Sequence, residues 1–237
     1  MVGVALKPSV YNRLAREAFA GSGLVGPVGT RRSARRNWVR GGSRWCLFGV
    51  LNDPRPEEGG EVLAGMQMLL PDNFFIGFTQ SVPGPPRRVP GLRSLLSEDP
   101  LVAVQHLRMA AGLVATDELD ALTRVAERRV ADGVSAQGWT AYEQGVAWLV
   151  LGDLGRAHEF LSENCADRCE LLGRSAKRRS PDDAIFGEIE RTEALDALVV
   201  AGDRRGAMEL LDAYAEEAAV QVGYQRGDRD EDPWWPR

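Results

Sequence analysis

Between Ser97 and Val222 apolar residues recur every three to four positions, the spacing of helices that bury one face. Polar and glycine breaks divide this stretch into Leu101 to Val114, Thr116 to Val130, Thr140 to Leu151, Leu154 to Leu172, Asp182 to Val200 and Arg204 to Val222. Ser97-Glu-Asp-Pro100 supplies a capping residue and a first-turn proline for the first of these. The short turns make neighbouring helices antiparallel. The N-terminal part follows no single period. Residues 9–20 suit a short helix with Val10, Leu14, Ala18 and Phe19 on one face, and Glu61 to Leu70 also fits a helix. Trp45 to Leu51 reads as a buried strand and Asn73 to Thr79 as a second strand, with helix the alternative for such short apolar runs. Pro83-Gly-Pro-Pro86, with Pro90 and Gly91, is the sharpest break. The expected organisation is a basic, mixed region at 1–95, a helical-hairpin array at 96–223 and an acidic, Trp-containing tail at 224–237.

The helical part echoes itself. Glu143 to Leu161 aligns without a gap on Glu193 to Leu211 at an offset of 50 residues. The identical pairs are Glu143/Glu193, Ala147/Ala197, Val150/Val200, Gly152/Gly202, Asp153/Asp203, Ala157/Ala207, Glu159/Glu209 and Leu161/Leu211. Gly can end a helix in the left-handed conformation and Asp can cap the next one, so Gly-Asp predicts a tight helix–helix turn in each copy. A weaker third copy lies upstream at an offset of 36, on Ala111, Leu113, Val114, Asp117 and Ala121. Three stacked hairpins are about the minimum for a continuous core.

On these residues the chain resembles the tetratricopeptide repeat. Gly145, Trp148, Gly152 and Ala157 stand where that family has its small, aromatic, turn-glycine and second-helix alanine positions, and Leu195, Leu198, Gly202 and Ala207 occupy the same places in the second copy. The chain departs from the pattern at Ala141 and Arg191, where an early aromatic belongs, and in its 50-residue spacing. The resemblance implies a helical-hairpin array in the C-terminal half, and with the mixed pattern before it the expected fold is mainly α with a small N-terminal α+β or irregular region. It also implies a groove lined by the first helix of each hairpin, at Trp139, Tyr142, Val146, Leu149, Ile189, Thr192, Asp196 and Val199. That mix of aromatic, aliphatic and acidic groups suits a peptide or helix. The same positions are also those expected to pack as core.

Charge is unevenly distributed along the chain. Residues 1–45 carry nine basic groups against Glu17 alone, a balance of +8, which leaves −13 for the rest of a chain whose net charge is −5. Arg31, Arg32, Arg35, Arg36, Arg40 and Arg44, interleaved with Trp38 and Trp45, form a basic arm. Arginine for phosphates and tryptophan for base stacking make nucleic acid one reading, and docking on an acidic surface the other.

Chemistry-bearing motifs are sparse. Gly21-Ser-Gly23-Leu-Val-Gly26 fits the glycine spacing of a dinucleotide site but follows a helix rather than a strand, so it reads as a flexible loop. Cys165 and Cys169, one helical turn apart, could share a metal, but His158 is too far along the helix to complete the set, so no metal is expected. Asp182 with Asp183, or Glu188 with Glu190, are conceivable acid–base pairs, and the helix dipole is the simpler account of the first. No run approaches a membrane span, no signal peptide is evident, and three cysteines make no disulfide framework, so a cytoplasmic location is expected.

Together these features predict a non-catalytic protein-binding adaptor, inhibitor or regulatory protein without a cofactor, its partner another protein. A toxin-neutralising immunity protein is one concrete version. Nucleic-acid binding through residues 31–45 is the alternative, and a small-molecule enzyme of the helical region a third.

Overall fold

In the computed structural model the described residues are 8–28, 37–40, 42–53, 61–69, 100–115, 117–127, 139–176 and 183–227. Among them the chain is mostly helical, with a small four-stranded antiparallel sheet on the N-terminal side. They form two compact units, one of residues up to 118 together with 215–227, the other of 119–214.

The first unit is built on a meander in the order β1 (Leu24–Val28), β2 (Asn37–Arg40), β3 (Cys46–Asp53) and β4 (Glu61–Met68). Strands alternate sides, so Trp38, Val50 and Ala64 line up across one face beside Phe48 and Met66. Helix α1 (Pro8–Ala18) lies against that face: Phe19, just beyond it, meets Trp38 edge-on at 5.5 Å, and Trp38 Nε1 donates to Asn12 Oδ1 at 3.4 Å. Helix α2 (Pro100–Leu113) packs on α1, β3 and β4 through Ala103, Val104, Leu107 and Ala110. The opposite face is also buried at Asn37, Val39 and Leu47.

Two expectations need correcting here. Glu61 to Leu70 is not a helix. Its first eight residues pair with β3 from Cys46↔Met68 to Asp53↔Glu61, because a partner strand of equal length satisfies the whole backbone ladder and overrides weak local preference. Nor is the glycine-rich stretch simply a flexible loop. Leu24–Val28 forms the edge strand, where Pro27 costs no ladder bond and the register shifts between Val25 and Val28. Gly26 lies flat on Trp38, and a Cβ there would stand 2.9 Å from the indole. The strand expected at 45–51 is β3, whereas the one expected at 73–79 lies outside the described residues, as do the proline break and residues 228–237 of the tail.

The second unit holds α3 (Glu118–Ala126, from Leu119 on), α4 (Trp139–Leu151), α5 (Leu154–Ala176), α6 (Asp183–Val200) and the first part of α7 (Arg204–Val222). Helix α4 packs on α5, and α5 on α6. Gly145 allows the first of these contacts, because a Cβ there would stand 2.8 Å from Leu161. Ala157, Leu161, Leu195, Ala207 and Leu211 are fully buried.

Candidate functional site on the helical hairpins

Both hairpin turns close in the same way. At the end of α4, Gly152 takes a φ of 92°, its N–H donates to Leu149 O at 3.1 Å, and the Asp153 N–H donates to Trp148 O at 3.0 Å. At the end of α6, Gly202 takes a φ of 73°, with Gly202 N–H on Val199 O at 3.0 Å and Asp203 N–H on Leu198 O at 3.0 Å. These are the paired bonds of a Schellman stop. Each aspartate then caps the following helix, Asp153 Oδ1 accepting from Arg156 N at 3.0 Å and Asp203 Oδ1 from Gly206 N at 2.9 Å. One residue ends a helix and begins the next.

A polar seam joins α5 to α6. Steps of four residues along α5 and back along α6 bring Asn164 to Thr192 and Arg168 to Glu188. Asn164 Nδ2 donates to Thr192 Oγ1 at 3.3 Å, and Thr192 Oγ1 donates to Glu188 O at 2.8 Å. Arg168 Nε meets Glu188 Oε1 at 2.7 Å with both side chains over nine-tenths buried. Burial pushes the Glu188 carboxyl above its ordinary value, and the Arg168 charge and hydrogen bonds from Arg168 and Asn164 pull it back only in part. Towards the turns the seam opens to solvent, where His158 Nδ1 and Asp196 Oδ1 are 2.8 Å apart.

The residues expected to line a groove lie mostly inside this unit. Tyr142, Val146, Leu149, Ile189, Thr192 and Val199 are buried, and Asp196 is the one with partly open surface. The Trp139 side chain lies outside the described residues. Burial, followed by the charges of Tyr214, Glu188 and Cys165, raises the Tyr142 phenol well above its ordinary value, so it stays protonated. Cys165 is pushed up to about 11, first by burial and then by Glu193 and Asp196, which suppresses thiolate formation. Glu188 and Glu190 do not converge, since Glu188 is buried and Glu190 exposed. Among the described residues no group of three or more His, Cys, Asp or Glu is placed to hold a metal ion, and no helix is long and apolar enough to cross a membrane.

Of the basic arm, Arg31, Arg32, Arg35 and Arg36 lie outside the described residues. The rest is taken into the sheet unit. Trp38 is buried in β2, and the Arg40 guanidinium sits 4.4 Å over the Phe48 ring. Arg44 is buried, and its segment is held by two distant elements of the same unit. Glu118 accepts from three successive backbone N–H groups, Trp45 at 2.7 Å and Cys46 at 2.8 Å on Oε1, and Arg44 at 3.1 Å on Oε2. Helix α7 ends at Gly223 with the same two-bond stop as the hairpin turns, which delivers Tyr224 to Ser43. The phenol accepts from Ser43 N and donates to Ser43 O, both at 3.0 Å, while Arg226 Nε donates to Arg44 O at 2.9 Å.

Sequence reasoning missed Asn164, Arg168 and Glu118. For the first two a signal existed, because polar residues at i and i+4 on one helix face a matching pair on the next. Glu118 acts across 72 to 74 residues and leaves no local mark. Compared with the models of known protein families, with curated proteins and with solved structures, the chain matches none.

Proposed function

We propose that the chain is a non-catalytic protein-binding adaptor, inhibitor or regulatory protein, contacted by another protein on its helical unit. The observation that carries this reading is the hairpin turn made twice with the same residues and the same bonds. Duplicated hairpins extend a lateral helical surface without forming a central pocket, and such surfaces serve recognition. A toxin-neutralising immunity protein remains one concrete version. The tetratricopeptide-like reading of the array draws support from the close approach at Gly145 and the buried Ala157 and Ala207. The nucleic-acid alternative now rests on Arg31, Arg32, Arg35 and Arg36, since Trp38 and Arg44 serve the sheet unit.

Gentle isolation of the tagged full chain from its native cell, with and without nuclease, tests the proposal. The expected result is a stoichiometric protein partner that survives nuclease. Elution of the 25.9 kDa chain alone, or a complex that nuclease dissolves, would overturn it.

A further inference from the structure

The two copies of the hairpin carry the same residues on one helix face but expose them differently. In α6, Phe186, Glu190, Glu193, Ala197 and Val200 follow one another at steps of four, three, four and three, which places them on a single side. All five are exposed, Phe186 at 47% and Val200 at 65%. The α4 counterparts of the last three are Glu143, Ala147 and Val150, identical in type, and these are buried at 4%, 0% and 0%. Three of the eight identical pairs of the repeat therefore sit on a face that is covered in one copy and open in the other. Residue type cannot be the cause. What differs is what lies against the face. Beside it in the first copy, Gln144 Nε2 donates to Ala126 O, so the end of a helix closes on α4 at that point.

We infer that this α6 face is the docking site for one amphipathic helix of a partner protein, with apolar residues at three-to-four spacing and a Lys or Arg directed at Glu190 and Glu193. The inference rests on the protein-binding reading above and specifies its surface. The stripe has the period at which two helices mesh. Its apolar positions, Phe186, Ala197 and Val200, give an incoming helix a surface that narrows at the alanine and widens at both ends. The two carboxylates set the sign of the partner's charge. A second copy of this chain could not dock through the apolar stripe of α1, since Tyr11, Leu14, Ala15 and Ala18 of that stripe are already buried in their own unit.

The test places a photocrosslinking residue at Ala197 of the full chain in its native cell, with separate controls at exposed Ala166 and Ala213. Crosslinked peptides are identified by mass spectrometry, and the identified partner is then titrated into wild type, Ala197→Arg and Glu193→Arg. The inference expects crosslinking from 197 in preference to 166 and 213, to a helical segment bearing Lys or Arg. It also expects both variants to weaken binding about tenfold or more at unchanged helix content, with Ala166→Arg having no effect. A partner that crosslinks equally from the controls, or binds both variants as well as wild type, overturns the docking face and leaves the protein-binding reading standing. Crosslinking to a second copy, or no crosslink from 197, also overturns the face. Isolation of the chain without any protein partner, or only in a complex that nuclease dissolves, removes the broader reading as well.

Discussion

The sheet unit and the hairpin unit hold their chains together by opposite means. In the sheet unit the decisive bonds run from side chains to backbone over long separations, with Glu118 on residues 44–46 and Tyr224 on Ser43. In the hairpin unit the turns are closed locally by backbone bonds, and the seam joins side chains of helices adjacent in sequence. Stability and information therefore reside in different places in the two units. Local closure is written into short motifs, whereas distant closure depends on the completed fold.

The largest expected effect lies in the seam. Glu188→Ala leaves the Arg168 guanidinium buried without its carboxylate and should cost about 3–5 kcal/mol, read by urea unfolding. Replacing both residues together, Arg168→Met with Glu188→Leu, should recover most of that loss. A double variant no better than the single one would show that the seam depends on these charges rather than on packing.

Glu118→Ala should cost about 3 kcal/mol, because three backbone donors lose a charged acceptor. Glu118→Gln, which keeps one oxygen, should cost less. Trp45 fluorescence during denaturation checks this in the sheet unit. A loss below about 0.5 kcal/mol would assign the fastening of residues 44–46 to strand pairing alone and erase half of the contrast.

Gly152→Ala and Gly202→Ala should each cost about 1 kcal/mol, through positive φ rather than crowding. The nearest atom to a Cβ at Gly152 is 3.6 Å away, and at Gly202 nothing lies within 4 Å. Equal losses in thermal unfolding would establish that the two turns are energetically as well as geometrically alike. Unequal losses would make one of them more than a local joint.

The smallest effect is a dependence on pH. The Glu188 carboxyl is raised in the folded state, so the fold binds its proton more tightly than the unfolded chain does. That contribution is complete below the unfolded value and is lost as pH rises through the folded one. Wild type should therefore lose stability relative to Glu188→Gln as pH climbs from the acidic range towards neutrality. Parallel curves for the two proteins would contradict the desolvated carboxyl.

The same contrast explains what could be read from the sequence. The spans Thr140 to Leu151, Leu154 to Leu172, Asp182 to Val200 and Arg204 to Val222 agree with α4 to α7 within a few residues, because period and Gly-Asp turns are local signals. Strand β4 was not legible, since its apolar run takes its conformation from β3. Trp38 and Arg44 looked like parts of an arm because alternation of charge and aromatic says nothing about pairing with a strand twelve residues on or a glutamate 74 residues on. For Tyr142 and Thr192 the sequence left groove and core both open. A first-helix position can face either a partner or the interior, and α5, packed on both α4 and α6, decides it.

Asp153 and Asp203 carry a further consequence. Each joint's two-bond stop and aspartate cap run from the carbonyl that accepts the aspartate N–H to the first turn of the next helix, residues 148–156 and 198–206. These bonds come from within the stretch itself, and in the first joint Arg204 Nη2 adds one from outside, donating to Val150 O at 2.9 Å. A segment containing such a joint is a portable cassette: when copied along a chain it bends correctly in its new setting before any neighbour has adapted to it. The two corners are thus alike in their bonds, and the two stretches differ in the faces between them, covered at Glu143, Ala147 and Val150 and exposed at Glu193, Ala197 and Val200.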